Sequence, residues 1–146
     1  MDPALIFSLG NKLALLGWLL LILLPRWRWS SRLISPIIIP AIIAVVYVLF
    51  LVKHSGSTEG GFGSLAAVMS LFTNPNLVLV GWLHYLAFDL FIGSWEVRDA
   101  QRLGIHHLWV IPCLVLTFII GPAGLLLYLL VRSIKTGSLW LKPVKT

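Results

Sequence analysis

Charged residues and cysteine are both scarce in this sequence. Charged side chains make up 11% of the 146 residues, whereas a soluble globular domain carries about 25%. The mean hydropathy is +0.98, which predicts an integral, multi-pass membrane protein. Because each membrane-spanning helix needs about 20 apolar residues, the length leaves no room for a separate soluble domain.

The scarcity of cysteine excludes two classes of site, and the scarcity of acidic residues gives the chain a net positive charge. Cys113 is the only cysteine, so an intramolecular disulfide and a cysteine-based zinc site are both excluded. Lys and Arg outnumber Asp and Glu by 11 to 5, giving a net charge of +6. Beside apolar segments such basic residues anchor a protein to anionic lipid head groups. We therefore expect a lipid membrane as partner and no nucleic acid.

Targeting signals are also missing from the start of the sequence. Met1-Asp2-Pro3 has no basic region of the kind that opens a secretory signal. No Arg- and Ser-rich, acid-poor transit peptide precedes the first apolar run either. We expect a bacterial inner membrane, or a thylakoid or envelope membrane if the source is photosynthetic.

Four long apolar runs predict an all-α integral membrane protein, a four-helix transmembrane bundle in a single domain over residues 1–146. The spans are expected at about residues 4–24, 33–52, 75–95 and 108–131. Residues 64–72 are apolar but too few to span, which favours a short interfacial or re-entrant helix. Four spans would put both ends of the chain on one side. The Lys and Arg residues would then divide evenly between the sides and leave the orientation undecided.

Proline and glycine mark several expected helix boundaries. Pro36 is expected near the start of the second span, with a kink at Pro40. Asn74 suits the N-cap of the third helix and Pro75 its first turn. That helix can continue to about Arg102, where Gly104 ends it. In the fourth span, the run Gly121-Pro122-Ala123-Gly124 predicts a kink and a close helix contact.

Two ionisable residues lie well inside the third span. An ionisable side chain at membrane depth costs about 2.5 to 3.5 kcal/mol on insertion scales. His84 and Asp89 therefore form a functional-site hypothesis. The structural alternative is that Asp89 pairs with Lys12 or Arg98, while the charges that follow form a solvated network at the end of the helix.

A metal site is a second alternative. The candidate ligands are the histidine and carboxylate residues of this region, namely His84, Asp89, Glu96, Asp99, His106 and His107. These ligand types suit a divalent iron, manganese or zinc ion, but no Glu-x-x-His spacing is present. The cofactor, if any, is not identified by the sequence.

Acid–base chemistry without a metal is a third alternative. A desolvated carboxyl group, Asp89 or Glu96, would act as the acid on a lipophilic substrate. His84 or Tyr85 would act as its partner. The candidate catalytic residues are thus His84, Tyr85, Asp89 and Glu96.

Several sequence runs carry a resemblance to a known family. They are Gly81-Trp82-Leu83-His84-Tyr85-Leu86-Ala87-Phe88-Asp89-Leu90-Phe91, Asp99-Ala100, Gly104-Ile105-His106-His107, Pro112-Cys113 and Gly121-Pro122-Ala123-Gly124-Leu125-Leu126-Leu127-Tyr128. The chain resembles, over roughly residues 11–132, the small four-span membrane proteins named for plant abscisic-acid deficiency. That family includes the protein required for neoxanthin synthesis.

The resemblance implies a role in carotenoid metabolism, in plants the conversion of the epoxide violaxanthin to the allene neoxanthin. Opening an epoxide needs a proton on the ring oxygen, and forming the allene needs a proton removed from the adjacent polyene carbon. One acid and one base suffice for such an isomerase. The alternative is a non-catalytic pigment- or lipid-binding subunit, in an oligomer or in a larger membrane assembly. In either case the expected ligand is a lipophilic small molecule such as a carotenoid.

Overall fold

The structure, a computed structural model, describes residues 2–54, 56 and 60–138. Within this part of the chain all regular secondary structure is helical. It comprises α1 (Pro3–Leu23), a π-helical segment (Ser30–Ile38), α2 (Ile39–His54), α3 (Leu65–Leu71), α4 (Pro75–Arg102) and α5 (His107–Thr136). Four helical stretches are long and apolar enough to cross a membrane: Pro3–Leu23, Ser30–His54, Pro75–Arg102 and His107–Thr136. The predicted fold class is confirmed, and α3 is the predicted short helix.

The helix α4 is the centre of the bundle and contacts α1, the π-helical segment, α2 and α5. Its predicted boundaries are confirmed. The Asn74 side chain accepts a hydrogen bond from the backbone N–H of Asn76 at 2.9 Å, and Pro75 follows as the first helical residue. The helix ends at Arg102, and Gly104 adopts a φ of 69° in the turn that follows.

The second spanning helix begins earlier than its expected start at residue 33. It starts at Ser30 as a π-helix that contains Pro36 in its interior, so the expected position of Pro36 near the helix start was wrong. The Ile39 N–H bonds to the Ile34 carbonyl, five residues back, and this wider turn accommodates a proline that has no N–H of its own. The small side chain of Ser35 also packs against α1, where its hydroxyl donates to the Gly17 carbonyl at 3.2 Å.

The helix α5 folds back on itself. Ile120 is non-helical, with φ −141° and ψ 64°. The Lys135 ammonium nitrogen lies 4.2 Å from the centre of the Trp109 ring, whereas the two residues would be about 39 Å apart along a straight helix. Residues 107–119 and 121–136 therefore form two antiparallel halves. We call them the first and second halves of the helical hairpin, and the turn between them its apex.

Close contact between the two halves depends on glycine. A Cβ atom added to Gly124 would fall 2.0 Å from the backbone nitrogen of Thr117, so only glycine fits there. The kink predicted in this region is confirmed, and it reverses the chain direction. The expectation that both ends of the chain lie on one side does not hold for the described residues. Pro3 lies near Pro75 at the start of α4, whereas Arg132 contacts Asp99 near the C-terminal end of that helix.

The hairpin also concentrates basic residues at one end of the bundle, which we call the basic end. This end carries Arg26, Arg28, Arg32, Arg98, Arg102, Arg132 and Lys135. Lys53 lies in the last turn of α2, at the opposite end. Because positively charged residues are retained on the cytoplasmic side of a membrane, we expect the basic end to face the cytoplasm.

Cysteine labelling tests the hairpin and the orientation together. In a Cys113→Ser background, single cysteines are placed at Arg28, Gly56 and Ser138 and treated with a membrane-impermeant maleimide on intact cells and on inverted membranes. The hairpin predicts that positions 28 and 138 react from the cytoplasmic side and position 56 from the other side. Labelling of positions 56 and 138 from the same side would show that α5 crosses the membrane as a straight helix.

Replacement of Gly124 tests the packing of the hairpin. We expect Gly124→Ala to lower the free energy of unfolding by about 3 kcal/mol or more, since overpacking costs about 1–3 kcal/mol even where the neighbours can shift. The measurement is unfolding by sodium dodecyl sulfate in mixed micelles. Gly61→Ala is the control, because its Cβ would meet no atom within 4 Å. Equal stability of both variants would contradict the close contact.

Candidate functional site

Asp89 lies at the middle of α4 and faces the apex of the hairpin. A Cβ atom added to Gly121 would fall 2.5 Å from Asp89 Oδ1, so the carboxyl group rests directly against the Gly121 backbone. Its Oδ2 atom is buried and has no hydrogen-bond partner among the described residues. Burying a carboxyl oxygen without a hydrogen-bond partner is costly, and this cost makes Asp89 a candidate functional residue.

Tyr85, one turn before Asp89, connects α4 to the apex. Its hydroxyl donates a hydrogen bond to the Phe118 carbonyl at 3.0 Å and also lies close enough to interact with the Asp89 carboxyl group. Phe118 is in the last turn of the first half, where the break at Ile120 removes the helical partners of the carbonyls. Trp18 of α1 packs against Phe118 with ring centroids 5.6 Å apart, so α1 and α4 together fix the apex.

Glu96 lies two turns beyond Asp89 and also faces the first half of the hairpin. It is fully buried, at 0% exposure. Its Oε1 atom accepts a hydrogen bond from the Thr117 hydroxyl at 3.0 Å, while Oε2 has no partner among the described residues. Asp89 and Glu96 thus each present one unpartnered oxygen, separated by about 10 Å along α4.

The ion pairs expected for Asp89 are not formed. Lys12 and Arg98 both lie in the described part of the chain, and neither makes a salt bridge to Asp89 there. Arg98 Nε instead donates to the Ser94 carbonyl in its own helix at 3.3 Å. The structural alternative, in which Asp89 pairs with Lys12 or Arg98, is therefore not supported by the described residues.

Asp99, in contrast, is fully partnered. Its Oδ2 atom accepts hydrogen bonds from Arg132 Nε and from the Tyr128 hydroxyl, each at 2.8 Å, and its Oδ1 atom pairs with Arg102 at 2.8 Å. We call these four residues the Asp99 cluster. Asp99 is 4% exposed and Arg132 is 3% exposed, so the centre of the network is buried and of its four residues only Arg102 is exposed. It joins α4 to the second half of the hairpin.

The sequence did not identify Tyr128 and Arg132 as partners of Asp99. Their spacing of four residues puts both on one face of the second half, and that spacing was the available signal. A straight fourth span would have carried Arg132 to the opposite membrane surface. Only the reversal at Ile120 brings it to Asp99.

His84 faces away from this site. Its ring stacks on Phe88 with centroids 4.5 Å apart and lies 5.9 Å from the Tyr47 ring of α2. It lines a mainly apolar cavity of about 530 Å³ between α2, α3 and α4, which we call the His84 cavity. Leu51, Phe62, Phe72, Leu77 and Val80 also line it. His84 and Asp89 therefore serve different surfaces of α4.

The six residues predicted as metal ligands are not gathered at one place. His106 Nδ1 accepts from the Leu108 N–H at 3.4 Å, and His107 Nε2 lies 3.0 Å from the Ile22 carbonyl, both at the basic end. In the described part of the chain no group of three or more His, Cys, Asp or Glu side chains is placed to hold a metal ion. The residues do not fit the predicted metal site.

Comparison with known families agrees with this architecture. A family model described as ABA DEFICIENT 4-like matches residues 5–128. The chain belongs to this family. The match spans the whole of α4 and the apex of the hairpin, and so includes Tyr85, Asp89 and Glu96. No curated protein matches the chain, and no solved structure matches it either.

The Asp99 cluster gives a stability prediction for this family member. We expect Arg132→Met to lower the free energy of unfolding by about 3 kcal/mol, because removing one partner leaves a buried carboxylate incompletely paired. Lys135→Met is the matched control. Lys135 is exposed, and losing its contact with Trp109 should cost only about 0.5–1 kcal/mol. Similar losses in both variants, measured by unfolding in mixed micelles, would contradict a structural role for the cluster.

Proposed function

We propose that this protein is a membrane enzyme that isomerises a carotenoid or related isoprenoid by acid–base chemistry at Asp89. The observation that carries the proposal is the half-buried Asp89 carboxyl group, whose Oδ2 atom is buried without a hydrogen-bond partner among the described residues, beside the apex of the hairpin. Membership of the ABA DEFICIENT 4-like family supports a carotenoid-related substrate. Carboxylates that are buried without partners in a membrane commonly belong to functional sites.

A lipophilic substrate can reach this site from the bilayer. Ile119 and Ile120 at the apex are both exposed. These side chains form an apolar approach to the surface that holds Asp89. An isoprenoid would arrive by lateral diffusion and exchange lipid contacts for contacts with these side chains, so little apolar surface would need to be dehydrated.

The proposed reaction opens an epoxide to an allene without any redox change. Asp89 in its protonated form donates its proton to the epoxide oxygen as the ring carbon–oxygen bond breaks. The proton on the adjacent polyene carbon is removed, and its bonding electrons form the second double bond of the allene. If the other oxygen of Asp89 accepts that proton, the carboxyl group ends as it began, and one side chain serves as both acid and base.

The neighbouring residues are proposed to support this step. Tyr85 is held by its bond to the Phe118 carbonyl and positions the Asp89 carboxyl group. Glu96, about 10 Å further along α4, is the alternative candidate for the acid or base. His84 faces the His84 cavity and would contact a different part of a long substrate.

A second candidate function is non-catalytic binding of a pigment or lipid. The His84 cavity favours it, because a mainly apolar cavity of about 530 Å³ with one polar ring suits a cyclic end group bearing an oxygen. In that case replacing Asp89 would change the stability of the protein but not its binding of pigment. Catalysis and binding therefore make different predictions for the same set of variants.

Turnover of an epoxidised carotenoid by the purified protein in lipid nanodiscs is the decisive test. We expect Asp89→Asn to lower the rate at least 100-fold, since a positioned general acid–base group contributes about 100- to 10,000-fold. Asp2→Asn is the matched control. It makes the same chemical change at the N-cap of α1, where asparagine caps equally well.

The outcomes separate the two functions. If wild type converts the epoxide and Asp89→Asn stays folded but inactive, the acid–base role stands. Unchanged turnover in Asp89→Asn would show that Asp89 is not the acid–base group. If wild type shows no turnover but retains pigment, and His84→Leu loses the pigment while Asp89→Asn keeps it, the protein is a binding subunit.

A further inference from the structure

A cleft of about 720 Å³ opens at the basic end of the bundle, away from Asp89 and from the His84 cavity. Its walls are the end of α1 with the following turn (residues 22–27), the end of α4 (Val97, Ala100, Gln101) and the turn that leads into α5 with its first residues (104–108). Nothing in the proposed chemistry uses this cleft.

Arg26 supplies the one formally charged side chain among the residues that line the cleft. Arg26 and His106 line it and are both exposed, and Arg26 forms no salt bridge within the described residues. His106 is also the N-cap of α5, so the positive end of that helix's dipole points toward the cleft. No acidic side chain lines it. The cleft is therefore suited to an anion.

The remaining walls are apolar and exposed. Leu23 is 69% exposed and Leu108 is 68% exposed, and both line the cleft with Trp27. Tryptophan marks the boundary between lipid tails and head groups, and Trp29 and Trp109 lie at the same end. A ligand complementary to both the basic and the apolar walls has a negatively charged head group and an apolar chain.

We propose that this cleft binds the phosphate head group of an anionic phospholipid, with an acyl chain against Leu23 and Leu108. The phosphate would lie between the Arg26 guanidinium and the His106 ring at the start of α5. Basic pockets between transmembrane helices on the cytoplasmic side are known to bind anionic lipid head groups. The orientation expected from the distribution of Lys and Arg residues puts this cleft on that side. This proposal does not depend on the proposed isomerase activity.

The matched pair Arg26→Gln and Arg28→Gln tests the site. Both substitutions remove one positive charge from the same turn, but only Arg26 lines the cleft. Delipidated protein in mild detergent is titrated with phosphatidylglycerol or phosphatidylcholine, and bound lipid is counted by native mass spectrometry. For wild type we expect one phosphatidylglycerol bound at least tenfold more tightly than phosphatidylcholine. Arg26→Gln should lose this preference, and Arg28→Gln should keep it.

Three outcomes would overturn the proposal. One is an equal loss of preference in both variants, which would indicate a diffuse charge effect. Another is wild-type binding that does not distinguish the two lipids. The third is displacement of phosphatidylglycerol by inorganic phosphate at equal concentration, which would indicate a site for the free anion. If Arg26→Gln fails to fold, as judged by its unfolding midpoint, His106→Gln carries the same expectation.

Discussion

The close contact between Gly124 and the Thr117 backbone is the constraint on which the arrangement of charged groups depends. It allows the chain to reverse at Ile120 and the two halves of the hairpin to lie side by side. Irregular backbone at membrane depth is tolerated only where protein or water satisfies its polar groups. Here Tyr85 bonds to the Phe118 carbonyl, so α4 stabilises the reversal that the glycine permits.

Three carboxyl groups on α4 face this hairpin, and their partners differ. Asp99 is surrounded by Tyr128, Arg102 and Arg132, which offset the cost of burying its charge. Glu96 has one donor, from Thr117, and Asp89 has an oxygen with none among the described residues. A group whose burial is fully compensated contributes to the fold. Asp89 and Glu96 each keep an oxygen that is unpartnered in the described part of the chain, but Glu96 is fully enclosed and Asp89 is only half-buried. Asp89 is therefore the one that a substrate can reach, and it is the centre of the proposed site.

The polar features of the protein are distributed along the length of α4. The basic end and its cleft lie at the C-terminal end of this helix, Asp89 and the apex lie near its middle, and the His84 cavity lies toward its N-terminal end. Because the three sites are lined by different residues, lipid binding, pigment binding and turnover are separable measurements.

The sequence by itself determined the membrane class, the number of long apolar helices and the boundaries of α4, since hydropathy, caps and helix breakers act locally along the chain. It also identified Asp89, Tyr85 and Glu96 as unusual polar residues within an apolar segment. Only the tertiary structure decided which of these residues have partners. A kink at Gly121–Gly124 was evident from the residues, but its angle depends on how closely the two halves pack, and that is a property of contacts between residues distant in sequence. The reversal brought Arg132 to Asp99 and placed the Gly121 backbone against Asp89.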